Sequence, residues 1–449
     1  MNIQRTLLAS AVLSALAPMS SIVHAQSADA TVAVAVAAQP ADKPLAKVVV
    51  TASPFNTSEG DQILTPAKVL SGDELRDKLG ASLGDTLSQE LGVSASAFGA
   101  GASRPIIRGL EGARVKMLEN GMAVSDVSGL SNDHAVAAEG ATARQIEILR
   151  GPAALLYGSG AIGGLVNVVN ERIPTALEDK PAGQLEARFG SVDDGRALSG
   201  SVDGAVGAIG LHADGNVRRA DDYRIPGYRV LGDPDSASGK LPRSFTHEKT
   251  AGVGASWVGD WGYIGASVGT VSNLYGIPSL EGSQIDQSQT RYDIDSLFKA
   301  PFSGFESFKF KLGYTDYQHA ELDLDNQPEV RFTNRSLESR WELTHKSVAG
   351  WHGTFGVQTE RTNFSALNAQ TGGPDTVPVT KSNSTAAFLV EEREVGPLHM
   401  NAGVRLESVK REPVSGPARS FDLTSYSVGA MWPFAHGYGV GLTASIAQR

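Results

Sequence analysis

Cysteine is absent from this 449-residue chain. Its absence removes disulfides, thiol catalysis and cysteine-based zinc sites together. A basic surplus is missing too, since 39 Lys and Arg stand against 49 Asp and Glu, a net charge of -10. That balance does not suit a nucleic-acid partner. Nor does any stretch reach the roughly 20 apolar residues that a transmembrane helix needs. What is present at the start is a leader: Arg5 in a short n-region, an apolar core from Leu7 to Leu16, and Val23-His24-Ala25 as a small-residue cleavage pattern. These features read as a secretory signal peptide over residues 1–25. An exported, cysteine-free chain with 41% hydrophobic residues is either a soluble periplasmic protein or a transmembrane β-barrel, whose wall is apolar on one face only.

Gly158-x-Gly160-x-x-Gly163 has the spacing of a dinucleotide-binding fingerprint. Such a fingerprint works only where it opens a helix. Here Leu165-Val166-Asn167-Val168-Val169 follows, a β-branched run that reads as a strand, so no helix dipole would face a phosphate. The glycines instead suit positive φ and close backbone approach.

The organisation follows from texture. Residues 26–47 are rich in Ala, Val and Pro and read as a flexible tail. From Val48 to about Ile173 the pattern is mixed α/β, with helices at SGDELRDKLG and SLGDTLSQELG and strands at Pro105–Arg108, Arg114–Glu119, Ile146–Leu149 and Leu165–Val169. From residue 183 to 449 the chain alternates at period two. Phe308, Phe310, Leu312 and Tyr314 share one face, and Lys309, Lys311, Thr315, Tyr317 and His319 the other. Apolar toward lipid and polar toward a lumen is the pattern of a transmembrane barrel. Tight turns are expected near Gly207, Asp260, Gly304, Ala349, Gly396 and Ala435, and longer outer loops at Ala220–Ser244, Tyr275–Thr290 and Leu367–Lys381. The count is about 13 strands. An odd number, and a last strand from Tyr438 to Arg449 with no return, predict a C-terminally incomplete chain.

RPIIRGLEGARVKMLENGM (104–122) and IEILRGPAALLYGSGAIGGLVNVVN (146–170) resemble the two signature blocks of the plug in TonB-dependent outer-membrane receptors, and KVVVTAS (47–53) resembles the TonB box that precedes it. The resemblance implies a mainly β fold: an N-terminal α/β plug domain (54–173) followed by a transmembrane antiparallel β-barrel (183–449), here about 13 of an expected 22 strands. It places the chain in the outer membrane of a Gram-negative bacterium, in contact with lipid. Its implied partner is the inner-membrane TonB energy-coupling complex, which would pair with Val48, Val49, Val50, Thr51 and Ala52 (48–53) by strand addition. Arg108, Glu147 and Arg150 would, by the same resemblance, pair with barrel carboxylates and hold the plug.

SNDHAVA, SNLYGIPS, QTRYDI and LGYTDYQHAEL are similar to blocks of the zinc receptors within that family. Relatives of that kind often carry a His-rich stretch between the second and third blocks; here residues 279–284 hold no His. Zinc without cysteine needs imidazole nitrogen and carboxylate oxygen. Asp133 and His134 lie in a polar plug segment, while His319, Glu321, Asp323 and Asp325 fall at every second position near the outer end of a strand. A metal site from Asp133, His134, His319 and Glu321 follows, with zinc as transported cargo and no permanently bound cofactor. Siderophore or haem uptake, or a truncated barrel without function, are the alternatives. An enzyme is not expected, because no nucleophile, base and orienter assemble in the sequence.

Overall fold

The computed structural model describes residues 67–150, 156–158, 161–230, 232–278, 282–435 and 438–448. The leader, the tail and the segment Val48–Ala52 lie outside them.

The N-terminal unit runs β1 (Ala67–Ser71), α1 (Gly72–Lys78), α2 (Leu83–Leu87), β2 (Val93–Ala95), β3 (Pro105–Ile107), β4 (Val115–Glu119), β5 (Met122–Ala123), β6 (Gln145–Leu149) and β7 (Gly164–Val169). Acidic Asp73 and Glu74 open α1 and basic Arg76 and Lys78 close it, in the sense that favours the helix dipole. Five strands form one sheet in the order β1-β6-β7-β4-β5. Central β7 is buried at every position, which is why its sequence is a near-continuous apolar run rather than an alternating one. It pairs with β6 antiparallel and β4 parallel. The glycine fingerprint thus leads into a strand. At Gly164, with φ of 129°, a side-chain Cβ would sit 2.7 Å from the Leu149 carbonyl oxygen, so only glycine fits. Asn120 and Gly121, both at positive φ, make the tight hairpin between β4 and β5.

A second sheet holds 13 antiparallel strands: β8 (Ala182–Phe189), β9 (Arg196–Val206), β10 (Ile209–Ala220), β13 (Thr246–Gly259), β14 (Gly262–Ile277), β15 (Ser283–Lys299), β16 (Phe305–Leu322), β17 (Pro328–Val348), β18 (Trp351–Asn368), β19 (Pro374–Val395), β20 (Leu398–Pro413), β21 (Arg419–Ala435) and β22 (Tyr438–Ile446). Neighbours in the sheet are neighbours in sequence, with β8 and β22 at its edges. The β10–β13 connection carries its own hairpin, β11 (Arg224–Tyr228) with β12 (Ser238–Lys240).

One face of this sheet covers the N-terminal unit. On β16, Lys311, Thr315, Tyr317 and His319 are buried on that inner face, whereas Tyr314 is exposed on the other, as the alternation predicts. Tyr317, Phe332 and Ala366 join Leu70, Ile107, Ile146 and Val168 in one core, so the sheet's inner wall completes the packing of the plug. The outer face carries an apolar belt. At the turn end of the strands, Trp257, Trp261, Phe298, Phe308, Trp341 and Phe310 follow one another with ring centroids 4.3 to 6.1 Å apart. Tyr292 and Tyr314, 6.3 Å apart, lie about 20 Å further along the strands.

Two of the expected long loops are instead strand. β14 runs to Ile277 and β15 starts at Ser283, while β18 runs to Asn368 and β19 starts at Pro374. At these ends the apolar residues lie on the inner face, where Tyr275, Ile277 and Ile285 pack on Ala102 and Ala135 of the plug and Ala366 joins the plug core, so the apolar-outward alternation stops while the backbone ladder continues. Likewise Asp323 and Asp325 do not extend β16. They lie in the turn after it, where the Asp323 carboxylate accepts the backbone N–H groups of Asp325 and Gln327, each at 2.8 Å.

Candidate metal centre

His134 lies in the plug loop between β5 and β6. Short polar side chains hold that loop: the Asp126 carboxylate accepts backbone N–H groups from Ser128 at 3.0 Å and from Ala137 at 2.9 Å. Arg104 donates to Ser128 and to the Gly112 and Val115 carbonyls. Burial pulls the Arg104 guanidinium below its ordinary pKa, and the nearby Asp126 opposes that pull. From the sheet, the fully buried Tyr275 hydroxyl accepts from Ala135 N–H at 2.8 Å and donates to the Asp133 carbonyl at 3.2 Å. One phenol therefore clamps the backbone on both sides of His134. Gly101 makes room for it, because a Cβ there would lie 2.4 Å from Cβ of Tyr275.

His319 and Glu321, two residues apart near the loop end of β16, approach His134 from the sheet. One ligand atom from each of the three side chains lies within 4.8 Å of the others. His134 Nε2 is 3.0 Å from Glu321 Oε1. Phe332, opposite His319 in the β16–β17 register, stacks on it at 4.3 Å and meets His134 edge-on at 5.1 Å. The Tyr317 hydroxyl bonds His319 Nδ1 at 2.9 Å. Both imidazoles are buried, yet His134 Nδ1 and His319 Nε2 have no hydrogen-bond partner among the described residues. Bare buried nitrogens are costly unless something binds them. The Glu321 carboxylate keeps about 30% of its surface open, which leaves a wet side for an ion to enter.

Asp133 stands at the rim. Its carboxylate is held by the Ser131 hydroxyl and lies 4.0 Å from His134 Nε2, outside the tight trio. Two imidazoles and a carboxylate suit a borderline cation such as Zn²⁺, and equally Cu²⁺. Tyr317 orienting the far nitrogen of His319 is the usual outer arrangement of a ligating histidine.

Sequence reasoning missed Tyr275, Tyr317 and Phe332. Tyr317 had a signal, since it shares the inner face two residues before His319. Phe332 and Tyr275 enter only through register and tertiary contact.

Arg108, Glu147 and Arg150 are the residues expected to hold the plug against barrel carboxylates. Arg108 is exposed at positive φ, the Arg150 guanidinium donates to the Leu91 carbonyl at 2.9 Å, and the Glu147 carboxylate accepts from Asn167 at 3.0 Å. These bonds run within the plug. Backbone geometry and the packing of β6 against β7 set them there. Further residues attach the plug to the sheet. Arg172, just after β7, makes a two-pronged contact with Asp214 of β10 at 2.6 and 2.9 Å and a third bond to Glu119 at 3.1 Å. Asp214 also faces His212 Nε2 at 3.3 Å, and His212 Nδ1 meets Asp203 at 2.6 Å. His212 is thus part of the anchor. Further along, Arg340 and Arg405 converge on the Leu156 carbonyl at 2.8 and 3.1 Å.

Comparison with known proteins places this architecture. Residues 61–165 match the TonB-dependent Receptor Plug Domain, and residues 216–448 match the TonB dependent receptor-like beta-barrel. A vitamin B12 transporter, BtuB of Photobacterium profundum, is 24% identical over 405 residues, 88% of this chain and 59% of that protein. Among solved structures, the FrpB iron transporter from Neisseria meningitidis (F5-1 variant) superposes with a TM-score of 0.70 at 12% identity, covering 84% of this chain and 63% of that one. The copper transporter OprC gives 0.66 at 16% identity, covering 82% and 61%. At these identities the structures show the fold alone, and the chain spans about three fifths of the length of each relative. With both domain patterns matched in order around a plug packed on a long antiparallel sheet, the chain belongs to the TonB-dependent receptors, a family of receptors and transporters rather than enzymes.

Proposed function

We propose that this chain serves energy-coupled uptake of a transition-metal cation, zinc, across the outer membrane of a Gram-negative bacterium. One observation carries the reading: His134 of the plug meets His319 and Glu321 of the sheet, with two buried imidazole nitrogens left bare. The exposed aromatic belt suits contact with lipid. Because the donors come from two units, uptake has a simple physical route. Drawing the plug away from β16 withdraws one imidazole and dismantles the site, so affinity drops where release is needed. The pull would come from the TonB complex through Val48, Val49, Val50, Thr51 and Ala52, a largely β-branched run whose sequence suits strand pairing. Asp133 at the rim would meet the ion first.

The curated relative that transports vitamin B12 favours a second reading, a corrinoid cargo. A cavity of about 510 Å³ between the plug loop at Leu130 and the sheet, lined by Glu360, Thr362, Ser382, Glu407 and Arg411, offers polar groups to a larger ligand. Calorimetric titration of the full chain in detergent with zinc, and separately with cyanocobalamin, decides between them. The metal reading expects zinc binding that His134→Ala weakens by about 100-fold or more, because losing a ligand outweighs losing its outer-shell support. Zinc affinity unchanged in His134→Ala, or binding of cyanocobalamin alone, would overturn it.

A further inference from the structure

Gln287 on β15 is 1% exposed, and neither its amide nitrogen nor its amide oxygen has a hydrogen-bond partner among the described residues. A buried primary amide with both ends bare is unusual, since each unpaired polar atom has lost its water without a replacement bond. The position sharpens the anomaly. Gln287 pairs directly with His319 in the β15–β16 register, on the same inner face as Gln289 and Arg291. Its two neighbours on that face are fully engaged with the plug. Gln289 donates to the Val124 carbonyl at 2.9 Å, and Arg291 donates to the Ala123 carbonyl at 2.7 Å. On the other flank Asn273, the β14 partner of Gln287, accepts from Thr246 at 3.1 Å. Gln287 alone of these four has no structural bond to make.

Directly opposed side chains on one sheet face have Cβ atoms about 4.5–5.5 Å apart. A glutamine amide is therefore within reach of the His319 ring, whose Nε2 is also bare, and the His134 ring, with its bare Nδ1, lies 4.7 Å from that of His319. Three buried, unpartnered polar groups from β15, β16 and the plug loop thus belong to one neighbourhood. We propose that Gln287 is a further binding residue of this centre, supplying through its amide oxygen the fourth polar contact to the bound cation. The inference rests on the metal reading of His134, His319 and Glu321. It also accounts for the neutrality of the position. With one carboxylate already in the trio, an amide completes four contacts without adding charge, so the site keeps a net positive charge when a divalent ion is bound and can release it.

Full-length chain in detergent is titrated with zinc sulfate, comparing wild type, Gln287→Leu, Gln287→Glu and His134→Ala, and each apo protein is melted. The expectation is a loss of zinc affinity of about 10- to 100-fold in Gln287→Leu. Its apo melting temperature should be unchanged or raised, because a bare polar group has been removed. Gln287→Glu should tighten zinc binding, and it decides the matter alone if the Leu variant does not fold. Zinc affinity like wild type in both Gln287 variants, with His134→Ala impaired, overturns the role of Gln287 and leaves the trio standing. Wild-type affinity in His134→Ala, or no zinc binding by the wild type, overturns both.

Discussion

Two buried histidine clusters join the plug to the sheet, and they differ in what is left over. At His212 both ring nitrogens meet carboxylates, Asp203 and Asp214, and Arg172 supplies the opposing charge. At His134 and His319 one nitrogen of each ring is bare among the described residues, and Phe332 packs against both rings. The same residue type in the same kind of seam therefore serves opposite ends. A saturated cluster has no valence to offer and acts as an anchor. An unsaturated one, walled by an aromatic ring and open on its carboxylate side, can take a ligand. Placement fits the division. The anchor sits where the chain passes from β7 into the sheet, apart from the loop that carries His134.

The largest expected effect lies in the anchor. Asp214→Ala leaves Arg172 buried without its main partner, and breaking such a pair costs about 3–5 kcal/mol. Denaturant unfolding should show that loss, with zinc affinity within about twofold of wild type. A matching fall in zinc affinity would mean that the two clusters are not independent. A smaller effect is expected at Tyr317. Tyr317→Phe keeps the ring in the core but removes the hydroxyl that orients His319, so zinc affinity should fall by about tenfold, some 1.4 kcal/mol, with little change in melting temperature. Titration across pH 5.5–8 would sharpen the result, because protons compete with the metal for imidazole and affinity should decline toward the acid end in both proteins.

Much of this was legible in the sequence. The period-two alternation from Phe308 to His319 set which face of β16 looks inward, because a pleated strand admits only two faces. The strand after the glycines was visible as a β-branched run. Asp133, His134, His319 and Glu321 are expected as a set from the blocks similar to zinc receptors and from the need for imidazole and carboxylate donors in a chain without cysteine, and the structure brings His134, His319 and Glu321 together. Loop-end strand limits were hidden, since at the ends of β14, β15 and β18 the apolar residues, such as Tyr275, Ile285 and Ala366, turn inward to the plug and the apolar-outward alternation no longer announces the strand. The anchor was hidden for another reason: a charged pair such as Arg172–Asp214 is selected by three-dimensional approach, and neither residue differs in sequence from solvated neighbours. Gln287 is the extreme case, an ordinary polar residue whose interest lies wholly in having no partner once buried.

The most direct measurement is anomalous diffraction at the zinc edge from crystals of the chain soaked in a low concentration of zinc. The account predicts a single strong peak between the plug loop and β16, with nitrogen atoms of His134 and His319 at about 2.0–2.1 Å and a Glu321 oxygen at about 2.0–2.2 Å. A peak at His212 with none at His134, or no ordered zinc at the seam, would contradict it.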